Sequence, residues 1–220
     1  MEPKKPDRRD FIKHSTALAL AGWTFSATDQ VYTRNPTQDN DLFIIGPKSG
    51  FSPQVGTLVS MMNWTRKITT STVAELSMKD LDFLIDPTAN TIGALLRHTI
   101  AQEKECQIQT FAWDRAEVIN ETDLVAGSLG NDARQHIQGN EIEFYLEKLR
   151  SVRETSIGEL KNRDDAWLME IGHHHPWGIP VNNYCQWFHV LEHECQHVGQ
   201  IALIKNRLLA PRNDWIHSLG

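Results

Sequence analysis

Residues 183–209 read NYCQWFHVLEHECQHVGQIALIKNRLL and keep a helical period from end to end. His193 and His197 fall in line with further apolar residues on one stripe of the helical wheel, at about 100° per residue. Both imidazoles are therefore expected to point into the interior of a helical protein. The wheel also shows another apolar stripe, made of Tyr184, Phe188, Leu191, Cys195, Val198 and Ala202.

Three other segments show the same period and predict long helices at about 53–76, 91–112 and 140–160. A short helical turn is expected over 77–84, and a partial helix within the polar stretch 114–139. Four amphipathic helices, with connections that permit antiparallel neighbours, predict an all-α protein: a four-helix bundle with an irregular N-terminal arm. Capping boxes are predicted for Ser77 with Asp80, Asn140 with Glu143, and Asn183 with Gln186.

The composition is that of a globular protein with one domain. The chain has 220 residues, of which 40% are apolar and 23% charged, and its formal net charge is −6. Lysine and arginine are spread along the chain, so we expect no surface for nucleic acid. Cys106, Cys185 and Cys195 lack CxxC spacing and predict neither a disulfide framework nor a thiolate metal site.

The N-terminus resembles an export signal. Arg8 and Arg9 precede an apolar pair, a lysine and a mildly apolar run, which is the pattern of a twin-arginine signal peptide. The run is too short to cross a hydrocarbon core of roughly 30 Å, so no stable membrane insertion is expected. We predict a signal at 1–27, a linker or arm at 28–52 and the bundle at 53–220. The protein would then be periplasmic or otherwise extracytoplasmic, and without export it would be cytoplasmic.

Histidines are concentrated in one part of the chain, and six of the ten lie between positions 173 and 197. The pair His193 and His197 suits a divalent metal, because a shared cation removes the cost of burying two unpartnered imidazoles. His98, in the second long helix, is the candidate third ligand. Hydrogen-bonded core histidines are the alternative. His189 is expected at the edge of the site, and His173–His175 in a solvated turn.

Two glutamates are candidates for a general base or for a hydrogen-bond acceptor behind an imidazole. Glu103 lies on the apolar stripe of the second long helix, where an unpaired carboxylate would be costly. Glu194 follows His193 in the sequence HECQH, which has the HExxH signature of zinc proteases. The short tail after His197 contains no glutamate and has no room for the second half of a protease cleft. A zincin-like metallopeptidase is therefore a disfavoured alternative.

These motifs resemble the DinB/YfiT-like superfamily, the DUF664 type, of four-helix-bundle metalloproteins. The resemblance covers about 51–209 and is carried above all by HECQHVGQI at 193–201, together with the upstream His98. It implies that His98, His193 and His197 are metal ligands, in agreement with their spacing.

The resemblance also implies a divalent transition metal, zinc or nickel first and iron or manganese as further options, and a homodimer formed through helix faces. Gly199 would let a neighbouring helix approach closely. It also stands where the sulfoxide synthases of the superfamily carry a glutamate, which disfavours that branch. Other members act on thiols, but an exported protein would leave the cytoplasmic pool of low-molecular-weight thiols.

A three-histidine site leaves an open position at the metal, where a carbonyl is polarised or the pKa of water falls toward about 7. We therefore predict a metal-dependent hydrolase or transferase of an unknown small-molecule substrate. Glu103 and Glu194 are its candidate catalytic residues. A metal-binding protein without turnover, or a plain helical bundle with internally satisfied histidines, is the alternative.

Overall fold

The computed structural model describes residues 42–172 and 178–209. Within these ranges the chain forms helices and no strand, apart from one isolated antiparallel bridge between Ile171 and Asn182. The helices are α1 (Pro53–Val73), α2 (Met78–Leu81), α3 (Ile92–Phe111), α4 (Arg115–Val118), α5 (Glu121–Ser128), α6 (Gly130–His136), α7 (Ile142–Leu160), α8 (Asp165–Met169) and α9 (Asn183–Leu209).

The four long helices, α1, α3, α7 and α9, form a bundle around a shared core. Helix α9 packs along α1 and α3, while α7 packs along α3 and also touches α1. The prediction of an all-α four-helix bundle is confirmed. Because α3 and α9 are neighbours, their facing side chains can share one site. The largest fully buried side chains include Leu58, Met62, Leu95, Leu96, Tyr145, Leu149 and Trp187.

Three short helices, α4 to α6, connect α3 to α7 in place of the one partial helix predicted over 114–139. Asp123 of α5 holds this connection against α3. Its buried carboxylate accepts hydrogen bonds from Arg97 at 2.7 Å and from Lys104 at 2.6 Å. The backbone of α5 is thereby held beside the middle of α3, where His98 lies.

The described end of the N-terminal arm lies along α1. Ser60 is buried in α1, and its hydroxyl donates to the Ile44 carbonyl oxygen and accepts from the Gly46 N–H, both at 3.3 Å. The predicted signal at 1–27, the arm before residue 42 and His173–His175 lie outside the described residues. In the part that is described, no helix is long and apolar enough to cross a membrane.

Of the predicted capping boxes, the one at α2 is present. The Ser77 side chain accepts from the Asp80 N–H, and the Asp80 carboxylate accepts from the Ser77 N–H at 2.9 Å. The box predicted for Asn140 with Glu143 is wrong, because α7 begins after Glu141 and has no side-chain cap. The Asn140 amide instead donates to a carbonyl oxygen of the preceding loop.

The cap of α9 lies one residue earlier than predicted. Asn182 accepts from the Cys185 N–H through its side-chain oxygen at 2.8 Å. Asn183 instead donates its side-chain amide to the Trp167 carbonyl oxygen at 2.9 Å, which ties the start of α9 to α8. The prediction of a cap by Asn183 with Gln186 is therefore wrong.

The two stripes on α9 differ in burial, and the stripe that begins at Tyr184 is the more exposed one, although Tyr184 and Leu191 pack against the core. Phe188, from the stripe that begins at Tyr184, is 52% exposed, and Cys195 of that stripe is exposed as well. The stripe that carries His197 is the more deeply buried one. Glu194 is buried with it, although the helical wheel did not assign Glu194 to that stripe. The buried residues of α9 are Asn183, Trp187, Val190, Glu194, His197, Ile201 and Ile204.

The glycine at a close helix contact is Gly93 of α3. A Cβ atom there would lie 2.5 Å from the hydroxyl oxygen of Tyr145 in α7. At Gly199, apart from the adjacent residues and the backbone of α9 itself, no atom of the described residues would lie within 4 Å of an added Cβ. For the described helices, the expectation that Gly199 allows close approach is wrong, because this residue lies on the exposed side of α9.

Candidate metal centre

Three imidazoles converge where α3 packs against α9. His98 lies on α3, and His193 and His197 are one turn apart on α9. The Nε2 atom of His193 lies 3.1 Å from Nε2 of His98 and 3.1 Å from Nε2 of His197. Each ring offers one nitrogen that lies within 4.8 Å of the other two. The structure thus brings together the three histidines that the sequence singled out.

Hydrogen bonds on the far side of two rings decide where their protons lie. The Nδ1 atom of His98 lies 2.9 Å from the Ala126 carbonyl oxygen in α5. A carbonyl can only accept, so Nδ1 carries the proton and Nε2 of the neutral ring presents a lone pair. His197 is held in the same way, with Nδ1 at 2.8 Å from the Gln200 side-chain oxygen. Both lone pairs face Nε2 of His193.

Burial keeps the three rings neutral. It lowers the pKa of His98, and the nearby His197 acts in the same direction, against a backbone hydrogen bond that favours the charged ring. It also lowers the pKa of His197, against the bond to the side-chain amide. The pKa of His193 falls to about 3, through burial first and then through the neighbouring histidines. Neutral imidazole is the form that binds a metal ion.

The spacing of the nitrogens suits one metal ion. A tetrahedral ion with bonds of about 2.0–2.1 Å holds nitrogen ligands about 3.3 Å apart. Two of the separations here are 3.1 Å. A single N–H at His193 can satisfy only one of the two facing lone pairs, whereas a shared ion would engage all three rings. His98 and His197 are buried and His193 is half-buried.

A second buried cluster holds both of the predicted glutamates. Glu103 of α3 and Glu194 of α9 are 0% and 1% exposed. Arg66 of α1 bonds to Glu103 at 2.8 Å and to Glu194 at 2.7 Å. Arg153 of α7 also bonds to both carboxylates, each at 2.8 Å. These four side chains, one from each long helix, alternate in charge around a closed circuit that we call the ion-pair ring.

Hydroxyl groups complete the coordination of the carboxylates. Thr69 donates to Glu194 and Ser156 donates to Glu103, both at 2.7 Å. Burial alone would raise the pKa of Glu103, but the two arginines of the ring and the hydrogen bonds lower it to about 2. The same arginines lower the pKa of Glu194 against the effect of burial. Both carboxylates are therefore ionised at neutral pH.

Glu103 and Glu194, the two predicted catalytic residues, are bound by other side chains of the core. Their oxygens accept from arginine and hydroxyl donors, and no hydrogen bond joins either carboxylate to an imidazole of the described residues. A zincin needs the glutamate of HExxH to act on water at the metal, whereas Glu194 is held by two arginines. The zincin alternative thus loses its central residue. A general-base role for either glutamate stays a prediction.

Comparison with known proteins places the chain in a family. A model of the mycothiol-S-transferase (MST) family matches residues 57–209, well over half of the chain. The chain belongs to this DinB-like family. The match includes the three histidines and all four residues of the ion-pair ring.

Two solved structures are similar to this MST-family chain. A DinB-like protein from Bacillus cereus is 16% identical, with a TM-score of 0.55 over 69% of this chain and 91% of its own. A conserved protein from Enterococcus faecalis is 13% identical, with a TM-score of 0.51 over 68% of this chain and 93% of its own. At these identities the likeness shows the fold. No curated protein matches the sequence.

The sequence prediction did not include the arginines of the ring in this MST-family chain. Arg66 and Arg153 each stand on the apolar side of a long helix, four residues after the buried Met62 and Leu149. An arginine in such a stripe needs a buried anion. An arginine and a glutamate on the apolar stripes of different helices therefore indicate a buried ion pair, and this pattern could have predicted the ring.

His189 lies at the edge of the three-histidine cluster. Its Nδ1 atom is 3.1 Å from a carboxylate oxygen of Glu192, and its side chain is 42% exposed. Its ring centre lies 5.4 Å from that of His193, but His189 is not one of the three residues whose nitrogens converge. Within the described residues, the structure therefore brings together three candidate histidine ligands rather than four.

Proposed function

We propose that this MST-family protein is a metal-dependent transferase or hydrolase of a small molecule, with His98, His193 and His197 as its metal ligands. The observation that carries the proposal is the convergence of three ring nitrogens, with two separations of 3.1 Å. Membership of the mycothiol-S-transferase family supports it.

The chain contributes a prearranged set of neutral nitrogen donors. The Ala126 carbonyl and the Gln200 amide oxygen hold the protons of His98 and His197 at Nδ1, which leaves Nε2 available. Zinc or nickel suits this donor set. When bound, such an ion would lower the pKa of a thiol or of water, or polarise a carbonyl, at its open position.

Within this proposal, the name of the family favours thiol transfer. A low-molecular-weight thiol would lose its proton to solvent. Its sulfur would form a bond to an electrophilic carbon of the second substrate, and a leaving group would depart with the bonding electron pair. Mycothiol is the first thiol to try, although export would separate the protein from the cytoplasmic thiol pool.

The test uses two assays on the full chain after reconstitution with zinc or nickel. One follows the consumption of mycothiol or cysteine with a chlorodinitrobenzene acceptor, and the other follows the hydrolysis of nitrophenyl esters. Activity that requires the metal and is lost in His197→Ala would support the proposal, and the assay that responds would name the reaction class. Protein that binds the ion and turns over neither probe would favour the alternative of a metal-binding protein without turnover.

We also propose export and a homodimer, each on sequence grounds alone. Export rests on the twin-arginine pattern at Arg8 and Arg9, and the dimer rests on the resemblance to the superfamily. Light scattering of the purified protein tests the dimer. A reporter fused to the N-terminal segment, with and without Arg8 and Arg9, tests export.

A further inference from the structure

We propose that the ion-pair ring positions the metal ligands, so that Glu103 and Glu194 affect metal binding through the histidines on their own helices. The inference rests on the three-histidine metal site of the proposed function. It gives the two buried glutamates a positioning role in place of direct contact with a substrate.

The ring joins the two ligand-bearing helices through two shared arginines. Glu103 lies on α3 with His98, and Glu194 directly follows His193 on α9. Each arginine binds both carboxylates, and the shortest contact of each of the four pairs is 2.7–2.8 Å. Helix α9 therefore cannot rotate or slide against α3 without stretching at least one of these bonds.

The arginines are in turn fixed to the backbone of the other two long helices. Arg66 of α1 donates to the Leu149 carbonyl oxygen of α7. Arg153 of α7 donates to the Met62 carbonyl oxygen of α1 at 2.5 Å. Each guanidinium is thus anchored to the helix that carries the other one. The positions of α3 and α9 are therefore set relative to α1 and α7 as well as to each other.

Binding of a metal ion requires this degree of order. A rotation of α9 by about 10° moves an atom at a radius of about 5–6 Å from the helix axis by about 1 Å. Metal–ligand distances have to be correct to within about 0.2 Å. The apolar contacts of Trp187, Val190 and Ile201 are non-directional. Charge-assisted hydrogen bonds constrain both length and direction, so the ring supplies what apolar packing does not.

Stability alone does not account for four charged side chains in the core. Apolar side chains of similar volume often give equal or greater stability than a buried ion pair. A purely stabilising ring and a positioning ring therefore predict different behaviour for a variant in which the whole ring is apolar. The first predicts unchanged metal binding when the variant folds, and the second predicts weakened binding.

The experiment compares metal affinity with thermal stability in variants of the full chain. Co²⁺ is the probe, because its visible absorption reports the geometry of its ligands. Glu194→Gln removes one charge from the ring, and the quadruple variant Arg66→Met, Glu103→Leu, Arg153→Met, Glu194→Leu replaces all of it. Leu168→Ala is the matched control, since it opens a cavity in the core at α8, a helix that contributes nothing to the ring.

We expect both ring variants to bind Co²⁺ about ten- to a hundredfold more weakly than wild type and to alter its visible spectrum. Leu168→Ala should lower Tm and leave affinity and spectrum unchanged while it is folded. Whichever ring variant folds decides the outcome. Wild-type affinity and spectrum in a folded ring variant would overturn the positioning role alone. A wild-type protein that binds no Co²⁺ would overturn the metal site and this inference together.

Discussion

The Glu103→Gln variant should lose about 3–4 kcal/mol of unfolding free energy at neutral pH. Glu103 is fully buried and accepts hydrogen bonds from Arg66, Arg153 and Ser156. Its pKa is about 2, against an ordinary value of 4.5. The difference, 4.5 − 2, is about 2.5 in pKa, and at about 1.4 kcal/mol per pKa unit this amounts to about 3–4 kcal/mol. That is the lower end of the usual cost of breaking a buried ion pair.

Urea unfolding of metal-free wild type and Glu103→Gln, over a series of pH values, measures this effect. Because the pKa of Glu103 is lowered in the folded state, its stabilising contribution is present above pH 4.5 and is lost as pH falls toward 2. Glutamine does not titrate, so the gap between the two proteins should close through this window. The matched control is Glu147→Gln, in a pair with Arg150 that is exposed to water, and it should change little. A gap that stays constant with pH would show that the ionised Glu103 carboxylate does not stabilise the fold.

Two further predictions concern helix packing and export. Gly93→Ala should cost about 1–3 kcal/mol of unfolding free energy, because its Cβ would lie 2.5 Å from the Tyr145 hydroxyl oxygen. Gly199→Ala, at an open position of α9, should instead gain up to about 1 kcal/mol of unfolding free energy from helix propensity. The urea midpoint should therefore rise in Gly199→Ala and fall in Gly93→Ala, and the opposite order would contradict this packing. For export, the double change Arg8→Lys with Arg9→Lys should retain a fused reporter in the cytoplasm. Equal export of the wild-type fusion and the double-variant fusion would argue against a twin-arginine signal.

The long helices and the histidine cluster could be predicted because their signals are local. A period of 3.6 residues gave α1, α3, α7 and α9 to within a few residues, and the spacing of four between His193 and His197 placed both rings on one edge. His98 required one further step, the search for a third ligand on another helix. The structure brings all three together.

The ion-pair ring could not be derived in the same way, because its members meet only in three dimensions. Arg66 is 37 residues from Glu103 and 128 residues from Glu194. A wheel drawn for one helix treats a glutamate as polar, so it did not count Glu194 with the more deeply buried stripe of α9. The cap of α9 shows the same limit at short range, since Asn182 and Asn183 are both good N-cap residues and the bond from Asn183 to α8 decides between them.

The proposed metal centre requires that His98, His193 and His197 together hold one metal ion. Elemental analysis of untagged wild-type protein and of His98→Ala, after reconstitution and removal of loose metal, counts the ions that each protein holds. We predict about one transition-metal ion per wild-type chain and its loss in His98→Ala, with the helical circular dichroism unchanged. Metal retained by His98→Ala would contradict the assignment of the third ligand, and metal absent from both proteins would contradict the metal centre itself.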